Sequence, residues 1–149
     1  MQNFHFTSER DTTPEQLVST SQDEMALVEG LGQNILAKLG AVELFKRIKI
    51  FLHDEDNQVK GGITSSVFGG WVYVEMLWVT ASLRGQGYGS QLLARLEDEA
   101  RQLGCRHAHL DTFSFEARPF YEKAGYQVYA ELQDYPPGHS KIYLKKDLA

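Results

Sequence analysis

Between Glu75 and Ser90 the chain reads EMLWVTASLRGQGYGS, an apolar strand pattern that passes through a short turn into a glycine-rich loop. Leu92, Leu93 and Leu96 then open a helical apolar pattern. A strand, a glycine loop and a helix start, in that order, make a cradle for an anionic phosphate group. Gly85, Gly87 and Gly89 present no Cβ, so successive backbone N–H groups can converge on phosphate oxygens at the positive end of the helix. Arg84 adds a fixed positive charge, and Gln86, Tyr88 and Ser90 complete the loop. No Lys-Ser/Thr follows the last glycine, and the spacing is GxGxG rather than GxGxxG, so neither the ATP nor the NAD pattern fits.

Arg84-Gly85-Gln86-Gly87-Tyr88-Gly89 instead matches the (Gln/Arg)-x-x-Gly-x-(Gly/Ala) pyrophosphate loop of the GNAT superfamily of acyl-CoA N-acyltransferases. Downstream, the stretch from Ala117 through Phe120 and Tyr121 to Gly125 and Tyr126 resembles that family's second signature, Asn-x-x-Ala-x-x-(Leu/Phe)-Tyr-x-x-x-Gly-(Phe/Tyr), in order and at the family's distance. The resemblance runs from about Leu44 to Leu144. It implies transfer of an acetyl group from acetyl-CoA, as cosubstrate, directly to a primary amine with no covalent enzyme intermediate. Two positions depart from the pattern. Ala81 stands where many members have proline after the motif strand, and Ser114 replaces the asparagine that opens the second signature. A serine hydroxyl cannot reproduce both functions of an amide, so the pantetheine contact expected at Ser114 is weakened.

That chemistry sets requirements. An amine with a pKa of about 10 is protonated at neutral pH and must lose a proton before its lone pair attacks a thioester. A base is therefore needed, direct or through water. Glu75 is the candidate: strand alternation puts it on one side with Trp71, Tyr73, Leu77 and Val79, where a carboxylate would be partly desolvated and more basic. The resemblance assigns Tyr121 the acid that protonates the departing thiolate, although Phe120, Tyr121 and Tyr126 also read as ordinary aromatic packing. It further assigns the backbone N–H of Val79 to the oxyanion, with Leu77 and Trp78 lining the pantetheine path.

Several other residues invite weaker readings. His53 and His139 are scattered, no His/Cys/Asp/Glu group has metal-ligand spacing, and no metal is expected. Cys105 reads as a small buried hydrophobe. Asp111, Glu116, Asp134 and Tyr135 read as solvated loop groups that an acceptor pocket could recruit, and Lys141, Lys145 and Lys146 as a solvated strand face.

The elements that must hold these groups follow from periodicity. Phe4–Thr7 is a first strand. Thr13 or Ser21 caps a helix whose Val28, Leu31, Ile35 and Leu39 recur at helical spacing, with Gly30 and Gly32 weakening it. Phe45–His53, Gln58–Phe68 and Trp71–Thr80 form antiparallel strands joined at Asp54–Asn57 and Gly69–Gly70. A helix with a Leu92, Leu96, Ala100 and Leu103 stripe follows, then a strand over Arg106–Thr112 and a short helix over Phe115–Ala124. The alternation of Tyr126, Val128, Ala130 and Leu132 gives a strand that returns through Ile142 and Leu144 after a rigid Asp134–Gly138 turn. The expected fold is α+β: a mixed, mostly antiparallel central sheet with helices on both faces, an α/β/α sandwich. The resemblance adds that the fourth and fifth strands splay apart to admit pantetheine.

Bulk properties frame the rest. The 149 residues, 42% of them hydrophobic, suit one domain over residues 1–149. The formal charge of -5 disfavours nucleic acid and suits a cationic amine substrate. The lone Cys105, the absence of a long apolar run and an amino terminus without a leader pattern make the cytoplasm the expected compartment, with no membrane partner. An edge strand near the carboxyl terminus is compatible with a homodimer. Two rival functions remain at this level, a non-catalytic acyl-CoA-binding module and a dinucleotide-binding α/β domain. The antiparallel hairpins upstream of the glycine loop count against the second.

Overall fold

In the computed structural model, which describes residues 2–11, 21–40 and 46–149, the apolar alternation in the middle of the chain becomes a mixed sheet. Strand β1 (His5–Asp11) pairs antiparallel with β2 (Lys46–His53), β2 with β3 (Val59–Phe68), and β3 with β4 (Trp71–Val79). Helix α2 (Tyr88–Gln102) follows α1 (Gln22–Leu39) in chain order and leads into β5 (His107–Phe113). Helix α3 (Arg118–Lys123), β6 (Gln127–Gln133) and β7 (Ser140–Asp147) complete the described elements. The sheet order is β1-β2-β3-β4-β5-β7-β6, and β4–β5 is its one parallel pair. A sheet opened by three successive antiparallel pairs is not a doubly wound nucleotide fold, which disposes of the dinucleotide-binding rival.

Burial explains the layering. Ile48, Ile50 and Leu52 alternate along β2, and with Ile63, Val72, Val74, Ala108, Leu110, Ile142 and Leu144 they give the sheet one dry face. Leu92, Leu93, Leu96 and Ala100 of α2 recur three, four and seven residues apart, so one stripe of the helix lies on that face. Tyr121 of α3 and Tyr126 just beyond it close the same cluster, so α2 and α3 share a side.

One buried ion pair ties the layers together. Glu97 of α2, only 6% exposed, accepts from Lys146 Nζ with both carboxylate oxygens at 2.9 Å and from the Tyr126 hydroxyl at 3.0 Å. Lys146 is therefore not part of a solvated strand face, and Lys141 is not either, because its ammonium sits against Asp111.

The amino-terminal region matches its expected elements and adds a detail. Ser21 caps α1 through Oγ, which accepts from Glu24 N–H at 3.5 Å. The alternative cap Thr13, and Phe45 at the expected start of β2, lie outside the described residues. The stripe that marks α1 as helix is present, but none of its residues is buried, and Leu31 and Leu39 are more than half exposed. Tyr126 precedes β6 rather than opening it, and a bulge at Tyr129 interrupts the expected alternation of that strand.

The Glu97 pair yields a stability prediction. Lys146→Met leaves a buried carboxylate without its cation and is expected to cost about 3 kcal/mol. Neutralising exposed Arg118, paired with Glu122 within one helix, is expected to cost under about 0.5 kcal/mol. Urea unfolding of the two variants beside the wild type compares the costs.

Candidate active site

The site begins where a ladder stops. Strands β4 and β5 pair in parallel only from Trp71↔His107 to Val74↔Leu110. Beyond that point β4 continues to Val79 and β5 to Phe113 with no pairing between them, while β7 pairs the other edge of β5 as far as Phe113↔Lys141. The expected splay is present. At the same point β4 carries a bulge: Val74 pairs with Ser65 and Met76 with Thr64, so Glu75 has no partner in β3.

The bulge corrects the alternation argument. An extra residue shifts the parity of the strand, so Leu77 and Val79 turn inward to the core, while Met76 and Trp78 are 63% and 52% exposed. Glu75 does not share its side with Leu77 and Val79. It faces the open side of the sheet, where its Oε2 accepts from Arg47 Nη2 of β2. Both side chains are about one-fifth exposed, and Arg47 Nε is buried without a hydrogen bond among the described residues.

Main-chain geometry aims the end of β4 into the opening. The Thr80 N–H donates to the Lys60 carbonyl at 2.8 Å. In antiparallel alternation the preceding pair, Val79↔Gly61, is then non-bonded, so the Val79 N–H and carbonyl point away from β3 toward the gap. The carbonyl accepts from Arg84 Nε at 3.0 Å, which fastens the glycine loop to the end of the strand.

The loop has the form expected of an anion cradle. A 3-10 turn at Ala81–Leu83 delivers the chain to Gly85 at φ +75° and Gly87 at φ +88°, left-handed values that cost other residues about 1–2 kcal/mol. Around the position of a Cβ on either glycine no atom lies within 4 Å. Gly87 caps α2 without a side-chain bond, and no acidic residue sits in the first turn, so the N–H groups of Tyr88, Gly89 and Ser90 meet no competing carboxylate. Gln86 Nε2 ties back to the Ser82 carbonyl at 3.2 Å. Tyr88 stands edge-on to Phe4, and Phe120 of α3 covers Gly89 at 3.5 Å from where a side chain would start. These residues fit a pyrophosphate by backbone donors and helix charge.

Tyr121 lies on the other face of the sheet from Glu75, 7% exposed, edge-on to Phe120 at 5.1 Å and to Tyr126 at 5.9 Å. Burial, then the negative charges of Glu116 and Asp111, push its phenol up to about 12. The hydroxyl therefore keeps its proton across the physiological range. The two candidates thus lie on opposite faces of the sheet. Ser114 contributes differently from expectation: its Oγ accepts from Ser140 N–H at 3.0 Å while its own N–H donates to the Ser140 carbonyl at 2.9 Å, so it extends the β5–β7 ladder.

Some residues gain a role that composition did not suggest. Asp111 is not a solvated loop charge. It lies on β5 immediately past the last β4–β5 pair, accepts from the Tyr73 hydroxyl at 2.6 Å, and is 3.5 Å from Lys141 Nζ. Tyr73 is pushed well above the ordinary tyrosine range by burial, the bond to Asp111, and the Asp111 and Glu75 charges. Arg47, Glu75, Tyr73, Asp111 and Lys141 therefore form an alternating polar row across four strands of the open face. Of this row, sequence reasoning singles out Glu75 as a candidate base; Arg47 and Lys141 become visible once register is known. His53 is held by Thr7 and stacks on His5, His139 packs edge-on to Phe115, and Cys105 is buried with its thiol pushed up by burial. Among the described residues no cluster of three metal-ligating side chains occurs, and no helix is long and apolar enough to cross a membrane.

The profile of the acetyltransferase (GNAT) family matches residues 20–126. The chain belongs to this family. A blasticidin-S acetyltransferase of Streptomyces morookaense is 41% identical over 95 residues, 63% of this chain and 70% of that protein. Acetyltransferase Atu2258 of Agrobacterium fabrum is 36% identical over 130 residues, 87% of this chain and 93% of that protein. A crystal structure of an acetyltransferase from Bacillus cereus superposes with a TM-score of 0.78 at 32% identity, covering 87% of this chain and 95% of that one. The protein is a GNAT acetyltransferase with the family's mixed sheet, and acetyl-CoA is its cosubstrate. The non-catalytic binding-module reading falls with this membership.

Two measurements probe the site directly. The Gly87→Ala variant places a Cβ in the cradle, and the enzyme is expected to lose about tenfold or more in coenzyme A affinity by calorimetry, since charge-assisted hydrogen bonds contribute about 1.5–3 kcal/mol each. In an alkaline absorbance titration, Tyr121 is expected to ionise near pH 12, well after an ordinary tyrosine at about 10. Because its folded value is the higher, its stabilisation is complete below about pH 10 and is lost as pH rises toward 12.

Proposed function

We propose that this enzyme transfers the acetyl group to the primary amine of a small molecule by direct attack within the β4–β5 gap, with residue-borne acid and base on its two sides. The observation that carries the proposal is the gap itself: an end of β4 left unpaired on its β5 side, with the Val79 N–H aimed into the opening, Glu75 on the open face and the glycine loop at its end.

The division of labour follows from these positions. Backbone N–H groups of the Gly85–Ser90 loop hold the pyrophosphate, and Leu77, Trp78 and Val79 border the pantetheine arm. The Val79 N–H donates to the thioester carbonyl oxygen as negative charge develops there. Glu75, held in orientation by Arg47, receives the proton that the ammonium must shed, directly or through one water. The new C–N bond forms as the C–S bond breaks, and the Tyr121 hydroxyl supplies the proton that the departing sulfur takes up. The phenol is protonated at neutral pH and so holds the proton to give, while its burial makes it a weaker acid than a tyrosine in water. The acceptor is protonated in solution and so enters as a cation, in a soluble, cytoplasmic setting.

Thiol release from acetyl-CoA with a panel of amines tests the assignment. Glu75→Gln and Tyr121→Phe are each expected to lower kcat by roughly a hundredfold or more while coenzyme A affinity stays near wild type. For Glu75→Gln, raising the pH toward the amine's own pKa should restore part of the rate. A loss of less than about threefold in both variants would remove these two residues from the proton transfers.

A further inference from the structure

The open face beside the gap carries more exposed aromatic surface than acetyl transfer to an amine requires. Past Asp111, β5 ends in Phe113, and the chain turns at Ser114 to Phe115. The Phe115 ring lies parallel to Phe113, with centroids 5.3 Å apart and planes within 1°. Tyr135 also stacks on Phe113, at 5.7 Å and 23°. His139 props the Phe115 ring edge-on at 4.9 Å. Despite these contacts Phe115 remains 54% exposed and Tyr135 45%. Across the gap, the outward residues of β4 are Met76 and Trp78. Both lips of the opening therefore offer apolar, mostly aromatic surface, and on the β5 side its orientation is fixed before any ligand arrives.

Charge on the same face decides what chemistry suits it. Each carboxylate at the closed end of the gap already has a cation: Glu75 has Arg47 and Asp111 has Lys141. The row nets close to zero and does not favour a polycation. Lys141 Nζ also takes up the cation–π positions nearby, 4.9 Å from the Tyr135 centroid and 5.7 Å from Tyr143. Within this row an acyclic diamine would find no carboxylate without a cation, and Lys141 already stands over the Tyr135 ring. A flat unsaturated ring would find the exposed face of Phe115, in plane with an existing stack, and would bury it without disturbing an ion pair.

We propose that the acceptor amine is carried on a planar unsaturated ring, and that this ring stacks on Phe115 at the β5 lip while its single ammonium group reaches into the gap. The inference rests on the reading of the β4–β5 gap as the acyl-transfer site. Phe115 acts as a specificity residue: it fixes the ring and takes no part in proton transfer. Stacking preorganised in this way contributes about threefold to tenfold in binding.

Phenethylamine, cyclohexylethylamine of similar size but without a π face, and putrescine, an acyclic dication, separate the classes. With wild type, phenethylamine is expected to exceed both others in kcat/KM by about threefold to tenfold. In Phe115→Leu that advantage is expected to vanish through KM with kcat unchanged, and Phe115→Trp should restore it. Equilibrium binding of the three amines to the enzyme with coenzyme A, followed by saturation-transfer NMR, reads the same preference without turnover. If wild type binds phenethylamine and cyclohexylethylamine equally, or if Phe115→Leu keeps the difference, the ring subsite is overturned. Thiol release with none of the amines, together with a ring preference in binding that Phe115→Leu abolishes, would instead overturn the acyl-transfer reading and leave the subsite standing.

Discussion

An unfinished strand ladder is the constraint on which the rest of the structure depends. Buried peptide groups are almost always paired, so two parallel strands that stop pairing midway need other partners for their remaining donors and acceptors. Here β5 is paired by β7 along its full length, and β4 by β3 except at the Glu75 bulge, so each strand is satisfied on one edge only. The free edges face each other after Val74 and Leu110. Arg84 satisfies the Val79 carbonyl and leaves the neighbouring N–H directed at the opening. The vacancy is thus built by satisfying everything around it, and an extended ligand with its own amides can complete it.

The bulge does a second task. Because side chains alternate with period two, one extra residue moves all later side chains of β4 to the opposite faces. Without it, Leu77 and Val79 would leave the core and Met76 and Trp78 would have to enter it. With it, Glu75 can stand on the open face next to Arg47 while the strand still closes the hydrophobic layer over α2. Placement of the Glu75–Arg47 pair and core packing are therefore satisfied by the same irregularity. A carboxylate here costs desolvation, and the Arg47 pair offsets it, so removal of either partner would be felt at the other.

How legible this was from sequence differs by part. The glycine loop and the order of strands and helices could be read because each depends on local pattern: turn chemistry, periodicity, and motifs in register. The faces of the residues that follow Glu75 could not. The bulge is a property of the β3–β4 register, which no repeat in either strand announces, so strict alternation grouped Glu75 with Leu77 and Val79. Asp111, Lys141 and Lys146 were misread for a related reason. A charge on a strand is solvated or paired depending on what lies two strands away, and Asp111 meets Tyr73 from β4 and Lys141 from β7. Helix α1 shows the converse, since its apolar stripe revealed that it is a helix while saying nothing about what the stripe meets.

On the proposed function, donor and acceptor are recognised by different parts of the chain, and this separates what can vary. The cradle and the Val79 amide act through main-chain N–H groups, whose direction depends on backbone conformation and only at Gly85 and Gly87 on residue type. On the same proposal the acceptor side is made of side chains: Phe113, Phe115 and Tyr135 at one lip, Met76 and Trp78 at the other, and the polar row between. Substituting any one of them leaves the strand ladder and the phosphate loop intact, because none supplies a ladder bond through its side chain. A chain organised in this way can exchange one acceptor for another while keeping acetyl-CoA in the same place, and the information about the acceptor must then lie in the ring geometry and charge balance of the open face.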